Sequence, residues 1–231
     1  MTQSYKPLFL FIYHKDDPVT RKNYYQLCKM EGSSSVVPIS DCQHFLNDTF
    51  RCDAYPWQFK HSNSYIRADS LIYNYVLNKS KYIRKHSIVF ILEWDVWWNT
   101  HSKNWAEKLI SQYDVIGTEI LTIQKNKDWG WFHSFLNLPI AHKLCGIVPF
   151  SVIGCKPETI IKASKYVRDN PYTHDMFNAE LRLPTMCNII GGKLGLLPPK
   201  FRSTIKWHEW GAKCKNEECI LHPVKHMNQF M

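Results

Sequence analysis

The segment Ser87 to Thr100, SIVFILEWDVWWNT, constrains the fold more than any other part of the chain. Ile88 to Leu92 is an unbroken apolar run that reads as a buried strand, and it stops at Glu93-Trp94-Asp95. Burying carboxylates without a partner costs several kcal/mol per ion. A divalent cation is one such partner, because Mg²⁺ and Mn²⁺ take oxygen ligands, often one or two carboxylates together with substrate phosphates. In extended backbone, residues i and i+2 point to the same side. Glu93 and Asp95 can therefore face one site while Trp94 packs inward. The plainer alternative is that the strand has ended and both acids are solvated or paired with Lys or Arg.

The surrounding elements alternate in type. LFLFIYH, Leu8 to His14, reads as a strand followed by a turn at Lys15-Asp16-Asp17-Pro18. Val19 to Met30 reads as a helix and Val36 to Ile39 as a short buried strand. Arg67 to Asn78 carries Leu71, Ile72, Tyr75 and Val76 at helical spacing. Downstream come a short helix from Trp105 to Ile110, a strand from Tyr113 to Glu119, and a long polar and aromatic stretch from Gln124 to Lys143. Ile147 to Cys155 then reads as one strand, and Pro157 opens a helix through Arg168. Met176 to Asn188 reads as a helix that Pro184 breaks or kinks. The tail from Pro198 reads as irregular. This order predicts an α/β sandwich with a mostly parallel central sheet, in one domain over residues 1–231. In such sheets ligands bind beyond the carboxyl ends of the strands, which is where Glu93 and Asp95 fall.

Composition narrows the class. Hydrophobic residues make up 45% and aromatics 14%, enough for a real core and too much for disorder. No apolar run approaches the roughly 20 residues that span a bilayer, and the N-terminus lacks the layout of a signal peptide. A soluble cytoplasmic protein without a transmembrane segment is expected, with its eight cysteines free and mostly buried. The net charge of +9 favours anionic partners, and nucleic acid, phosphorylated small molecules and membrane surfaces all qualify. No G-x-G-x-x-G follows the first strand and no P-loop is present, which argues against an ordinary nucleotide or methyl-donor module.

Three segments carry a family resemblance. Glu93-Trp94-Asp95 resembles the DxD motif of glycosyltransferases with the GT-A fold, with Glu in the first position. CILHPVK, Cys219 to Lys225, resembles that family's late metal-ligand segment. NAELRLPT, Asn178 to Thr185, resembles its E-x-R-L-x-T stretch. The resemblance runs in element order from about Leu8 to Lys225 and is greatest to compact glycosyltransferase domains of large algal viruses, whose setting would be the host-cell cytoplasm.

The resemblance implies a GT-A-like fold with a nucleotide-binding half over about 1–100 and an acceptor half over about 101–231. It implies Mn²⁺ or Mg²⁺ held against the diphosphate of a nucleotide sugar by Asp95, Glu93 and His222. Asp95 is the direct ligand in this reading, while Glu93 reaches the metal through water or binds the ribose. Lys225 would meet the diphosphate as a point charge. Glu180 would be the general base of an inverting transfer, with Asp175 as runner-up. The implied donor is a UDP-hexose and the implied acceptor an oligosaccharide or glycoprotein, with no nucleic acid partner.

The remaining positions follow the same layout. Tyr13, His14 and Asp41 fall where the family places the nucleobase and ribose. Arg67 and Asp69 open a helix, where an arginine can bind phosphate. Asp128, Trp129 and Trp131 lie on a loop, DWGWFH, and would face the sugar or acceptor together with Arg182. The alternative for these tryptophans is an aromatic cluster closing the core, and Trp97, Trp98 and Trp105 are read as core.

Two rival chemistries share these residues. Cys214, Cys219, His222 and His226 form C-x4-C-x2-H-x3-H, whose residue types bind zinc although the spacing is too short for a finger. The acid pair and positive charge also suit a metal-dependent nuclease. That enzyme would add a second strand bearing an acid and a lysine in the E-x-K manner, and none is visible in the sequence.

Overall fold

The computed structural model describes residues 4–15, 17–40, 46, 50–51, 64–175, 178–206 and 218–225, with only the backbone described at 50, 51, 64–68, 174 and 175. In chain order the elements are β1 (Pro7–Ile12), α1 (Pro18–Glu31), β2 (Val36–Ser40), β3 (Phe50–Arg51), α2 (Ser64–Asn78), α3 (Ser80–Ile83) and β4 (Ile88–Glu93). They continue as β5 (Trp97–Asn99), α4 (Ala106–Gln112), β6 (Val115–Gly117), β7 (Glu119–Thr122), α5 (Gly130–His133), β8 (Cys145–Val148) and β9 (Val152–Cys155). The last are α6 (Pro157–Asp169), α7 (Ala179–Ile189), β10 (Leu194–Leu196), α8 (Pro199–Arg202) and β11 (Cys219–Leu221).

The chain folds as mixed α/β around a mostly parallel sheet. Seven strands join in the order β10-β6-β9-β4-β1-β2-β3, so strands from both halves of the chain share one sheet. Within it β9 runs antiparallel to β4 and β6, and the remaining strands run parallel to one another. The apolar runs of β1 and β4 follow from burial on both faces, which removes the polar alternation of a half-exposed strand. Leu8, Leu10, Val89 and Ile91 enter a core completed by α2, α6 and α7. Phe9, Phe11, Ile88, Phe90 and Leu92 enter a second core with Leu27 of α1, Trp98, Trp105 and Phe201. Phe9 stacks on Phe90 with ring centroids 4.9 Å apart, and Trp98 meets both edge-on at 5.2 and 5.4 Å. Aromatic contacts of this kind are worth about 0.5–1.5 kcal/mol each beyond their area burial.

Local signals account for the helix that follows β1. Asp17 caps α1, its Oδ1 accepting the Thr20 N–H at 2.8 Å, and Pro18 takes the first helical position. Gly32, at φ 85°, ends the helix while its N–H donates to the Cys28 carbonyl.

The structure departs from the sequence reading in several places. The stretch from Tyr113 to Glu119 divides into β6 and β7, which belong to different sheets. Ile147 to Cys155 likewise divides into β8 and β9, because Pro149 lies between them and has no N–H for a ladder. β8 then pairs antiparallel with β7, and β9 enters the main sheet. The DWGWFH segment contains the short helix α5 instead of a plain loop, and the tail contributes α8 and β11. α7 runs through Pro184 without ending there, since the residues from Ala179 to Cys187 are all buried and packing outweighs the lost hydrogen bond. Cys28, Cys145, Cys155 and Cys187 are free as expected, but Cys219 is disulfide-bonded. Among the described residues no helix is long and apolar enough to cross a membrane.

Candidate metal centre and its surroundings

β4 ends at Glu93, beside the carboxyl ends of its parallel neighbour β1 and of β2 beyond it. The chain turns there, with the Val96 N–H donating to the Glu93 carbonyl at 3.2 Å, and leaves as β5. Buried Trp98 anchors β5 through its Nε1–H, which donates to Glu31 Oε1 at 3.0 Å. β11 pairs antiparallel with β5, Leu221 opposite Trp97 and Cys219 opposite Asn99. The Val224 N–H then donates to the Asp95 carbonyl at 2.8 Å. This small second sheet carries His222 over the acid pair.

His222 Nε2 lies 3.4 Å from Asp95 Oδ1 and 3.8 Å from Glu93 Oε2. One donor atom from each of the three residues lies within 4.8 Å of the others. His222 Nδ1 is 2.7 Å from the Lys206 carbonyl, which can only accept, so the assigned tautomer is Nδ1–H. In the neutral ring the Nε2 lone pair then faces two carboxylates. Asp95 Oδ1 is buried and makes no hydrogen bond. Such a trio needs a proton or a cation among its members. An octahedral ion with ligands at about 2.1 Å places neighbouring donors about 3 Å apart, so these donors, which lie within 4.8 Å of one another, would draw together around one. Two carboxylates and one imidazole fit a hard divalent cation of the Mg²⁺ or Mn²⁺ class, and a carbonyl-bound imidazole is the usual second support of a metal-ligating histidine.

The protonation behaviour has the same origin. Burial, then the Asp95 charge, pushes the Glu93 carboxyl up to about 7, against the pull of His222 and Lys225. Burial alone would lower the His222 pKa, but the facing carboxylates of Asp95 and Glu93 outweigh it and raise the value. Lys225 Nζ stands 4.0 Å from Asp95 Oδ2 on the exposed side.

Glu180 sits in the first turn of α7. Asn178 caps the helix by accepting the Glu180 N–H at 3.0 Å, and its Nδ2 donates back to Glu180 Oε2 at 3.1 Å. The Phe150 N–H donates to Glu180 Oε1 at 3.4 Å. Burial, reinforced by the Glu93 charge, nevertheless lifts the carboxyl to about 8. The Phe150 N–H that Glu180 accepts directly precedes Ser151, whose carbonyl accepts the Glu93 N–H, so the start of α7 adjoins the end of β4.

The other residues singled out in the sequence are distributed around this centre. Asp69 and Arg182 meet each other: Arg182 Nη1 donates to Asp69 Oδ1 at 2.6 Å and Tyr73 Oη to Asp69 Oδ2 at 2.8 Å, with both charged side chains fully buried. Tyr13 is buried and its phenol oxygen accepts the Leu46 N–H at 2.8 Å. His14 is exposed and meets Trp94 edge-on at 5.3 Å. Trp94 is half-buried and packs against the second core, with Lys15 Nζ 3.8 Å over its ring. Asp128 is exposed. Trp129 is half-buried over Gly146, where a Cβ would come within 2.6 Å of its ring, and Trp131 packs back against the core. Trp98 and Trp105 are buried in the core, while Trp97 is half-buried. Of Arg67 only the backbone is described, within α2, and Asp175 is likewise described only in its backbone. Asp41, Cys214 and His226 lie outside the described residues. The zinc quartet loses Cys219, since a disulfide sulfur is not a thiolate ligand.

Three participants had escaped the sequence reading: Asn178, the Phe150 N–H and the Lys206 carbonyl. Asn178 carried a usable signal, an Asn directly before an Ala-Glu helix start. The two backbone groups carried none.

Neither a protein-family model nor a curated protein matches the chain. Among solved structures it is similar to apo mouse xyloside xylosyltransferase 1, at 12% identity over 97% of this chain and 99% of that one, with a TM-score of 0.46. It is similar to the galactosyltransferase LgtC in complex with donor and acceptor sugar analogs, at 11% identity over 83% and 74%, with a TM-score of 0.44. It is also similar to a cytidylyltransferase from Leptospira borgpetersenii, at 12% identity over 85% and 77%, with a TM-score of 0.43. These likenesses are distant, and the functional reading rests on the site's own residues.

Proposed function

We propose that residues 1–231 form a GT-A-like, metal-dependent glycosyltransferase that moves a hexose from a nucleotide sugar, a UDP-hexose, to a hydroxyl of a glycan or glycoprotein with inversion. The observation that carries this reading is the convergence of Glu93, Asp95 and His222 at the carboxyl end of the sheet, with the buried Asp95 Oδ1 lacking any hydrogen bond. It agrees with the three sequence segments that resemble the family, since all three meet in this one region.

Asp95, Glu93 and His222 would hold Mn²⁺ or Mg²⁺, which when bound supplies Lewis-acid neutralisation of a diphosphate. Lys225, exposed beside Asp95, adds a fixed positive charge toward the same leaving group. Glu180 accepts the proton of the acceptor hydroxyl as that oxygen forms its bond to the anomeric carbon. The bond from that carbon to the diphosphate oxygen breaks, and its electron pair leaves with the nucleotide. A carboxyl lifted toward 8 by burial is a stronger base than a solvated one, which suits the proton transfer. Tyr13 and His14, which follow β1 where Ile12 pairs with Glu93, would meet the nucleobase and ribose, and Trp129 and Trp131 would face the sugar or acceptor.

The test is a transfer assay with UDP-hexoses, glycan acceptors and Mn²⁺, following UDP release and the anomeric configuration of the product by NMR. A product of inverted configuration, formed only with metal, supports the reading. Salt-sensitive DNA binding with metal-dependent cleavage and no sugar transfer would replace it with the nuclease.

A further inference from the structure

Across the ladder from Glu93 stands Ser151. The Glu93 N–H donates to the Ser151 carbonyl at 3.1 Å, which continues the register pairing Leu92 with Val152 and Ile91 with Ile153. Residues directly opposite in an antiparallel pair put their side chains on the same face, with Cβ atoms about 4.5–5.5 Å apart. Ile91 and Ile153 both enter the core formed with α2, α6 and α7. The Glu93–Ser151 bond extends the ladder one pair beyond the start of β9, and alternation then carries Glu93, two residues after Ile91, and Ser151, two before Ile153, to that same face. Glu180 lies on this side too, on α7, and is bonded by Phe150, the immediate neighbour of Ser151.

Ser151 is fully buried, and its Oγ makes no hydrogen bond. A buried hydroxyl without a partner costs free energy, and an alanine would fill nearly the same space without that cost. Nothing in the strand pairing or the core uses the hydroxyl. The acceptor directly across the ladder on this face is the Glu93 carboxylate. A carboxylate that ligates a metal is itself usually held by a hydrogen bond from a neighbouring group.

We propose that Ser151 is a positioning residue of the metal centre: its Oγ–H, unbonded in this structure, is the donor that the Glu93 carboxylate takes when it turns with Asp95 and His222 toward a cation. This rests on the reading of those three residues as metal ligands.

The test titrates Mn²⁺ into wild type, Ser151→Ala and Ser151→Thr, with and without UDP, reading free Mn²⁺ by electron paramagnetic resonance. Melting temperatures are measured in chelator alongside. Ser151→Ala is expected to raise the Mn²⁺ Kd by about 10-fold or more, the usual effect of removing a supporting group. Ser151→Thr, which keeps the hydroxyl, is expected to bind as wild type does. In chelator, Ser151→Ala is expected to melt at or above the wild-type temperature, which separates positioning from loss of fold. Should the smaller side chain unfold the protein, Ser151→Val and Ser151→Thr share one shape and differ only in the hydroxyl, so their difference in Kd reads the same quantity. Equal Mn²⁺ affinity in wild type and Ser151→Ala overturns the positioning role while leaving the metal centre intact. A wild type that binds no Mn²⁺ overturns the metal centre and this role with it.

Discussion

His222 Nε2 stands 3.4 Å from Asp95 Oδ1, although the two residues are far apart in the chain and both lie outside the main sheet. The pairing of β5 with β11 enforces that approach, and the hydrogen bond from Val224 to the Asp95 carbonyl closes it. The contact needs all three features: a buried strand ending in acids, a turn returning beside it, and a late segment pinned across that turn.

Substituting one member of the trio should therefore remove metal binding without removing the fold. Asp95→Ala is expected to lower sugar transfer by about 10²-fold or more, the scale of losing a charge-stabilising group. Its melting temperature in chelator should stay close to wild type, because the change also relieves a buried carboxylate. Activity and melting curves measured on the same preparation check both halves.

Glu180 should separate chemistry from donor binding. Glu180→Gln keeps the shape and the bond from Phe150 but cannot accept the proton. Transfer is expected to fall by about 10²–10⁴-fold, the usual contribution of a general base. The nucleotide and Mn²⁺ affinities should not move, which calorimetry on the variant would show.

The raised Glu180 carboxyl also predicts a pH dependence of stability in the metal-free protein. Its folded value, about 8, exceeds its ordinary 4.5, so folding favours the protonated form. The unfolded chain releases this proton first as pH rises, and stability falls between about 4.5 and about 8. In chelator, the wild-type melting temperature should drop from pH 5 to pH 8 more steeply than that of Glu180→Gln. Parallel curves for the two proteins would contradict the assignment.

The Asp69–Arg182 pair is predicted to act on stability. Both side chains are fully buried, so Arg182→Met strands the Asp69 charge and should cost about 3–5 kcal/mol in urea unfolding. Asp69→Leu combined with Arg182→Met removes both charges and should cost less than the sum of the single changes.

Much of the sheet was legible in the sequence because continuous burial leaves a plain mark. The runs in β1 and β4 can only be covered strands, and Asp17-Pro18 and Gly32 bracket α1 with ordinary cap chemistry. The splits at Thr118 and Pro149 were not legible, because each short strand continues the apolar pattern of its neighbour and only the pairing partner changes. α7 misled for the opposite reason: Pro184 signals a break locally, but burial along the helix overrides it. The acid pair announced a site. Its approach to His222 rests on two three-residue strands far apart in the chain, too short to show any periodicity. The Phe150 N–H and the Lys206 carbonyl that orient Glu180 and His222 are backbone groups, which no residue type reveals.

The most direct measurement is calorimetric titration of UDP into the protein with Mn²⁺, with chelator, and with Mn²⁺ and Asp95→Ala. The account predicts binding in the first case alone. Equal UDP affinity in all three would contradict a metal–diphosphate site at Glu93, Asp95 and His222.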